Sequence, residues 1–397
     1  MGGRRSVDEH AALVARLVRP ALAARTSERA PLADALGRVL AEPVAAGGPL
    51  PPFRNSQMDG YAARAADLAD APMVLLVDGV VPAAAGRPPE LVPGRLQKVM
   101  TGAPLPAGAD CVVPVERTAT TPTGVRVDVA PAAGDFVREA GSDAAEGVVL
   151  VPAGVRLAAR HLAAAAAGGA AAVQVVRRVR VAVIATGAEV VPPGVPLRFG
   201  EVHDVNGTAL AALVREQDAD PVLVALTADD AGEFDGRLRQ AVAEADLVVT
   251  AGGVSQGDFE VVRQVLEPLG AEVVEVAMQP GGPQGTAAVD GVPIVCFPGN
   301  PVSAQVSFAV FLRPLLREAA GLPAVAPREA VLAEPVLRSP AGRRQWLRGV
   351  LEGDAVRPMG GPGSHLVAAM AASDVLIDVP AEATALPAGI AVQVLPL

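Results

Sequence analysis

Asp246-Leu247-Val248-Val249-Thr250-Ala251-Gly252-Gly253-Val254-Ser255-Gln256-Gly257-Asp258 is a short valine-rich run that breaks at a glycine pair just before a helical pattern at 259–269. A brief apolar run bounded by glycine reads as a buried strand. The turn after it suits a ligand: glycine lets backbone approach closely, and a helix N-terminus presents unpaired N–H groups to phosphate. Ser255 adds a hydroxyl there, and Asp258 and Glu260 add carboxylates able to hold a metal.

The same grammar extends on both sides. VRVAVIATG (179–187) is a strand ending in glycine, followed by a helix at 206–217, the strand PVLVALT (221–227) and a helix at 230–245. AEVVEVAM (271–278), PIVCFPGNP (293–301) and a helix at 302–319 come next. Strands alternating with helices of this length predict a largely parallel, doubly wound sheet with helices on both faces. Ligands of such sheets sit at the carboxyl ends of the strands. Here those ends carry Thr186-Gly187, Thr250–Gly253 and Pro298-Gly299-Asn300-Pro301, with Ser303 just beyond and Asp229 ahead of Asp230, a natural N-cap.

Farther out the texture changes. Ser6 to Glu9 reads as a capping box opening a helix with Leu13, Val14, Leu17 and Val18 on one face, which Pro20 is expected to kink or end. Residues 31–44 read as a second short helix and an exit strand. From about 45 to 150, short apolar runs between Pro and Gly predict a β-rich domain, and the alanine-rich helix at 156–168 suggests that this domain is an insertion. The tail, 328–397, reads as a small β-barrel.

Composition narrows the function. At ~150 residues per domain, 397 residues make two or three domains. A net charge of -10 argues against nucleic acid, whose binders carry a basic face. The run 161–176 is too short and too rich in Ala and Gly for a membrane span. Two cysteines and an opening MGGRRSVDEH without an apolar core lead to the expectation of a cytoplasmic protein without a signal peptide. Histidines at 10, 161, 203 and 365 have no ligand spacing, and neither GxSxG nor Walker A occurs. Lys98 is the only lysine, so anion chemistry must use arginine, backbone N–H groups or a metal.

Several motifs together resemble the molybdopterin molybdenumtransferases, the MoeA and gephyrin E-domain group: SQMDGYA (56–62), TGAPLPAGAD (101–110), REAGSD (138–143), ATGAEV (185–190), AGGVSQGD (251–258) and PGNPVSA (298–304). They follow the family's order along nearly the whole chain. The resemblance implies an α/β multidomain protein: a helical domain of residues 1–45 and 146–177, an inserted β domain at 46–145, a molybdopterin-binding α/β domain at 178–327 and a β-barrel at 328–397. It implies a homodimer with a cleft shared between subunits. The polar run around Asp59, with no evident partner in its own β domain, agrees with that. The implied reaction inserts molybdate into adenylylated molybdopterin and releases AMP with Mg²⁺.

Carried over by motif, Asp59, Thr101, Asp143, Glu189 and Asp229 look catalytic, and Asp229, Asp258 and Glu260 look like metal ligands. Asp143, Glu189, Asp229 and Glu260 are expected to converge on the metal. Thr186, Gly187, Asn206, Gly252, Gly253, Ser255, Pro298, Gly299, Asn300, Pro301, Ser303 and Arg348 look substrate-binding. The chain departs from the family at a lysine motif, KxxxKPGKP, which here reads Glu275 to Pro283 with Glu275, Gln279 and Gly282 in the lysine places. An anion site without those lysines leans on Arg348, Ser303 and amides, and Glu275 is expected to face away from it. Two further readings stand beside molybdenum insertion. One is a molybdopterin adenylyltransferase, which the flanking domains oppose. The other is a dimeric scaffold binding a protein partner, which the missing lysines favour.

Overall fold

The computed structural model describes residues 4–255 and 260–397. The chain folds as two compact units: Met1–Glu28 with Val176–Leu397, and Arg29–Val175. The helix of the first 28 residues therefore belongs with the α/β body, apart from residues 29–45, with which the sequence reading had grouped it.

In the first unit, α1 (Val7–Ala23) opens with the expected capping box, Ser6 and Glu9 bonding reciprocally. It buries Val7, His10, Val14, Val18 and Leu22, the spacing of one helix face. Pro20 neither ends nor breaks it. The proline is exposed in the last turn, where little of the helix remains to be disrupted.

The central sheet contains β1 (Arg180–Thr186), β2 (Asp220–Thr227), β3 (Leu247–Ala251), β4 (Glu272–Glu275), β5 (Pro283–Val289) and β6 (Val292–Phe297), in the order β2-β1-β3-β6-β5-β4. The first four in that order are parallel. The β6–β5 and β5–β4 pairs are antiparallel, a hairpin turning at Asp290-Gly291. Between strands run α2 (Asn206–Glu216), α3 (Ala231–Glu244) and α4 (Val261–Leu266), and α5 follows β6. Asp230 caps α3, its carboxylate accepting from the Glu233 amide at 2.8 Å. α5 runs from Pro301 to Ala319 with a π-turn at Phe308–Leu312.

Both faces of the sheet are covered. α1, α2 and α5 enclose one core with Val183, Val249, Phe297 and Phe308, and α3 and α4 enclose the other with Ile184, Phe234, Leu238 and Ile294. Strands β7 (Arg328–Leu332), β8 (Arg344–Glu352), β9 (Ala355–Pro358), β10 (Val375–Val379) and β11 (Ala391–Pro396) close into a five-stranded barrel, since β8 pairs with both β9 and β10. Its interior holds Leu332, Leu347, Val356, Val375 and Ile377.

The second unit is β-rich, as the sequence suggested. Its six-stranded sheet runs Cys111–Pro114, Gly60–Ala63, Arg95–Val99, Met73–Val81, Gly124–Val127, Thr118–Thr121. The helix Ala159–Ala167 packs with Leu40, Val151 and Val173 in a core of its own. The chain's single tyrosine, Tyr61, is a core residue of the sheet, beside Leu96 and Val113.

Candidate functional site

At the carboxyl ends of β1, β3 and β6 the first unit opens a cleft of 970 Å³. The glycines are required there by geometry. Gly252 has φ +104°, and a Cβ on it would lie 2.6 Å from Thr186 Oγ1. Gly299 brings its own turn so close that a Cβ would stand 3.3 Å from the Gly252 Cα. Bare backbone from three strand ends therefore makes the floor.

Polar atoms on that floor await a partner. Thr186 Oγ1 and Asn206 Oδ1 are shielded and have no hydrogen-bond partner among the described residues. Asn206 Nδ2 donates to the Gly299 carbonyl at 2.7 Å, which ties α2 to the Pro298–Pro301 loop. Asn300 sits at the N-cap of α5, and Ser303 in its first turn lines the cleft. An orphaned buried oxygen is costly, so a ligand donating to these two would be favoured.

Of the residues expected to bind substrate, Thr186, Gly187, Asn206, Gly252, Gly253, Ser255, Pro298, Gly299, Asn300, Pro301 and Ser303 all line this cleft. Glu189, Asp229 and Glu260 line it too. Asp229 Oδ2 accepts from the Ala188 amide at 3.2 Å, and Glu260 Oε2 from the Ser255 amide at 2.8 Å. Each carboxylate is thus fixed against a glycine-bearing turn. Asp258 lies outside the described residues. The expected convergence of four carboxylates is not assembled: among the described residues no three acidic, histidine or cysteine side chains stand close enough to share a metal.

Arg348 is elsewhere. It is 1% exposed, absent from the cleft wall, and its Nη2 donates to the Gly361 carbonyl. What it holds is a loop whose continuation, Pro362, Ser364 and His365, does line the cleft, with the Ser364 carbonyl accepting from the Val302 amide at 3.1 Å. Sequence reasoning missed this loop, which falls within the tail that reads only as a small β-barrel. It also missed His203 and Asp204, whose neighbour Asn206 was the available signal.

Gln279 lines the cleft and its Oε1 accepts from Gln345 Nε2 at 2.5 Å. Glu275 does not line it. Its carboxylate pairs with Arg343 at 3.5 Å and fills the space beside Gly282, where a Cβ would come within 2.4 Å of Glu275 Oε1. The charge balance is therefore plain. Glu189, Asp204, Asp229 and Glu260 face the cleft, and no arginine or lysine does among the described residues.

In the second unit, Asp59 has a partner that the sequence did not reveal. Its Oδ1 accepts from the Thr101 amide at 2.6 Å and the Thr101 hydroxyl at 2.8 Å. These bonds, the amide first, hold its carboxyl below the usual range, and Lys98 nearby lowers it further. Asp143 is exposed on a separate loop, its amide bonded to the Leu50 carbonyl.

Comparison with known proteins agrees along the length of the chain. Residues 5–169 match the MoeA N-terminal region (domain I and II), 182–318 a probable molybdopterin binding domain, and 329–397 the MoeA C-terminal region (domain IV). Molybdopterin molybdenumtransferase 2 of Mycobacterium tuberculosis is 41% identical over 98% of this chain and 99% of its own. Molybdopterin molybdenumtransferase 1 of the same organism is 37% identical over 98% of each. The crystal structure of the MoeA protein from Pyrococcus horikosii superposes with a TM-score of 0.84 at 31% identity, covering 99% of both chains. No helix among the described residues is long and apolar enough to cross a membrane.

Proposed function

The chain belongs to the molybdopterin molybdenumtransferase family, a transferase of molybdenum cofactor biosynthesis, and on that premise we propose that its cleft binds adenylylated molybdopterin and molybdate with Mg²⁺ and releases AMP. The charge of the cleft carries this reading. A substrate with a pyrophosphate link is a polyanion, and four carboxylates without a facing arginine or lysine would repel it. A divalent cation removes that conflict.

Hard oxygen donors of this kind suit Mg²⁺, which uses one or two carboxylates plus substrate phosphates rather than a protein cage. One or two of Glu189, Asp229 and Glu260 would hold it together with the substrate's phosphate oxygens, and Asp258 belongs to the motif-based set. Bound there, the metal supplies charge neutralisation at the leaving phosphate. The chain's own groups do the rest. Gly252, Gly253 and Gly299 let the ligand reach backbone, Thr186 Oγ1 and Asn206 Oδ1 accept its donors, and the Ser255 and Ser303 hydroxyls take its anionic oxygens.

Asp59, Thr101 and Asp143 act in the same reaction under this proposal, in a homodimer working in the cytoplasm. Asp59 is preorganised for it by Thr101. Molybdate-dependent AMP release by the purified protein tests the proposal, with Mg²⁺ varied. Release should require the metal, and Asp229→Asn should raise the Mg²⁺ needed or abolish turnover. Normal turnover of that variant at unchanged Mg²⁺ dependence would sink the assignment. The scaffold reading rests on Gln279, Gly282 and the buried Arg348. It would take over if pterin binding persisted without any AMP release.

A further inference from the structure

Away from the cleft, a second arginine is buried with no carboxylate in ion-pairing contact, and Glu216 is the acidic group near it. Arg313, at the start of the last segment of α5, is 6% exposed. Its Nη1 donates to the Pro396 carbonyl at 2.7 Å. Its Nη2 is shielded and has no hydrogen-bond partner among the described residues, nor does any carboxylate there form an ion pair with it. A guanidinium left this way loses hydration that only a further acceptor can replace.

A second guanidinium stands one turn further on. Arg317 is half-buried, its Nε donating to the Pro323 carbonyl at 2.8 Å and its Nη1 to Gln217 Oε1 at 3.0 Å. Both arginines are therefore held by neutral acceptors. They share the wall of a 370 Å³ cavity with Pro314, Leu322 and Val325. Glu318 also touches this cavity, but its carboxylate is engaged by Arg19 at 3.0 Å on the exposed side. Two cations thus line one small cavity, in a chain of net charge -10, and neither is in an ion pair among the described residues.

We propose that this cavity is a second anion site, taking a small tetrahedral oxyanion of the phosphate type through Arg313 Nη2 and Arg317. Guanidinium forks match such oxygens in pairs, and the apolar wall strengthens the bonds by excluding water. The volume admits a free oxyanion or a small phosphate ester. The site is independent of the cleft's reading, because none of its residues lines the cleft.

The test is calorimetric titration of the full-length protein with inorganic phosphate, in a buffer free of other oxyanions. Wild type should bind saturably. Arg317→Gln, which leaves the buried arginine in place, should weaken binding by about tenfold or more, and Arg313→Gln should abolish it. Ser303→Ala, in the cleft, should leave it unchanged. Should Arg313→Gln fail to fold by circular dichroism, Arg317→Gln carries the test. Absence of saturable binding, equal affinity in Arg317→Gln, or loss in Ser303→Ala would each overturn the proposal.

Discussion

Acidification from pH 7 to 4 should cost the first unit about 3 kcal/mol through one side chain, His10. The ring is fully buried on α1, edge-on to Phe311 at 4.8 Å between centroids, and neither nitrogen has a partner among the described residues. Burial, aided by the nearby Arg5 charge and opposed by Glu272, lowers its pKa from 6.5 to about 4. Between those values the unfolded chain binds the proton and the folded chain refuses it. The neutral form's stability is thus fully present above pH 6.5, declines below it, and is gone below about 4. A depression of that size, at 1.36 kcal/mol per unit, gives the stated figure. Trp346 is the chain's only tryptophan and lies in the same core, so its fluorescence in urea titrations reports this unit. The difference between wild type and His10→Leu, taken at each pH, cancels the other titrating groups. That difference should shift by about 3 kcal/mol in favour of the leucine variant as pH falls from 7 to 4. A flat difference would refute the burial argument.

Gly252→Ala should lower the thermal midpoint and abolish pterin binding: its backbone strain alone is worth about 1–3 kcal/mol, and its Cβ meets Thr186 Oγ1 at 2.6 Å. Gly353→Ala, at φ +67° in open space, should lose stability and keep binding; equal binding by both variants would contradict this account of the cleft floor. Thr101→Val removes one of two donors to Asp59, so the Asp59 carboxyl should titrate at a higher pH by carbon NMR, while an unchanged titration would mean the amide alone holds it low. Gln279→Lys places a cation on a cleft wall that has none among the described residues, so molybdate should bind several-fold tighter, with the gain shrinking in high salt. No gain at low salt would show that position 279 does not address the anion.

The α/β layer was legible because its central strands β1, β3 and β6 are buried on both faces and its glycines recur at strand ends, a pattern that states both the sheet and where ligands sit. The β5–β6 hairpin was less so, since antiparallel direction resides in a two-residue turn within a continuous apolar texture. Arg348 shows the limit most clearly. In β8, alternation puts Leu347 inside the barrel and Trp346 against the α/β core, and Arg348 shares the tryptophan's face. Motif likeness then suggests an exposed cation, whereas the Met359–Gly361 segment caps it: the Met359 amide bonds the Arg348 carbonyl and the Gly361 carbonyl takes the guanidinium. Long-range covering of this kind leaves no local signature. Asp59 and Thr101 likewise lie 42 residues apart, and only the pairing of their strands brings the hydroxyl to the carboxylate.

The discontinuity of the first unit sets a schedule for synthesis. Helix α1 is made first, yet the residues that cover its apolar face include Phe308, Phe311 and Leu315. Translation at ~5–20 residues per second delivers them only about 15–60 seconds later, after the whole second unit has left the ribosome. During that interval Val14 and Val18 have no native cover, and the flanking Asp8, Glu9, Arg16 and Arg19 must keep the nascent helix from associating with others. The inserted unit, whose contacts lie within 29–175, can fold in the meantime. The chain's first helix therefore waits for a helix made long after it, α5, before it can pack.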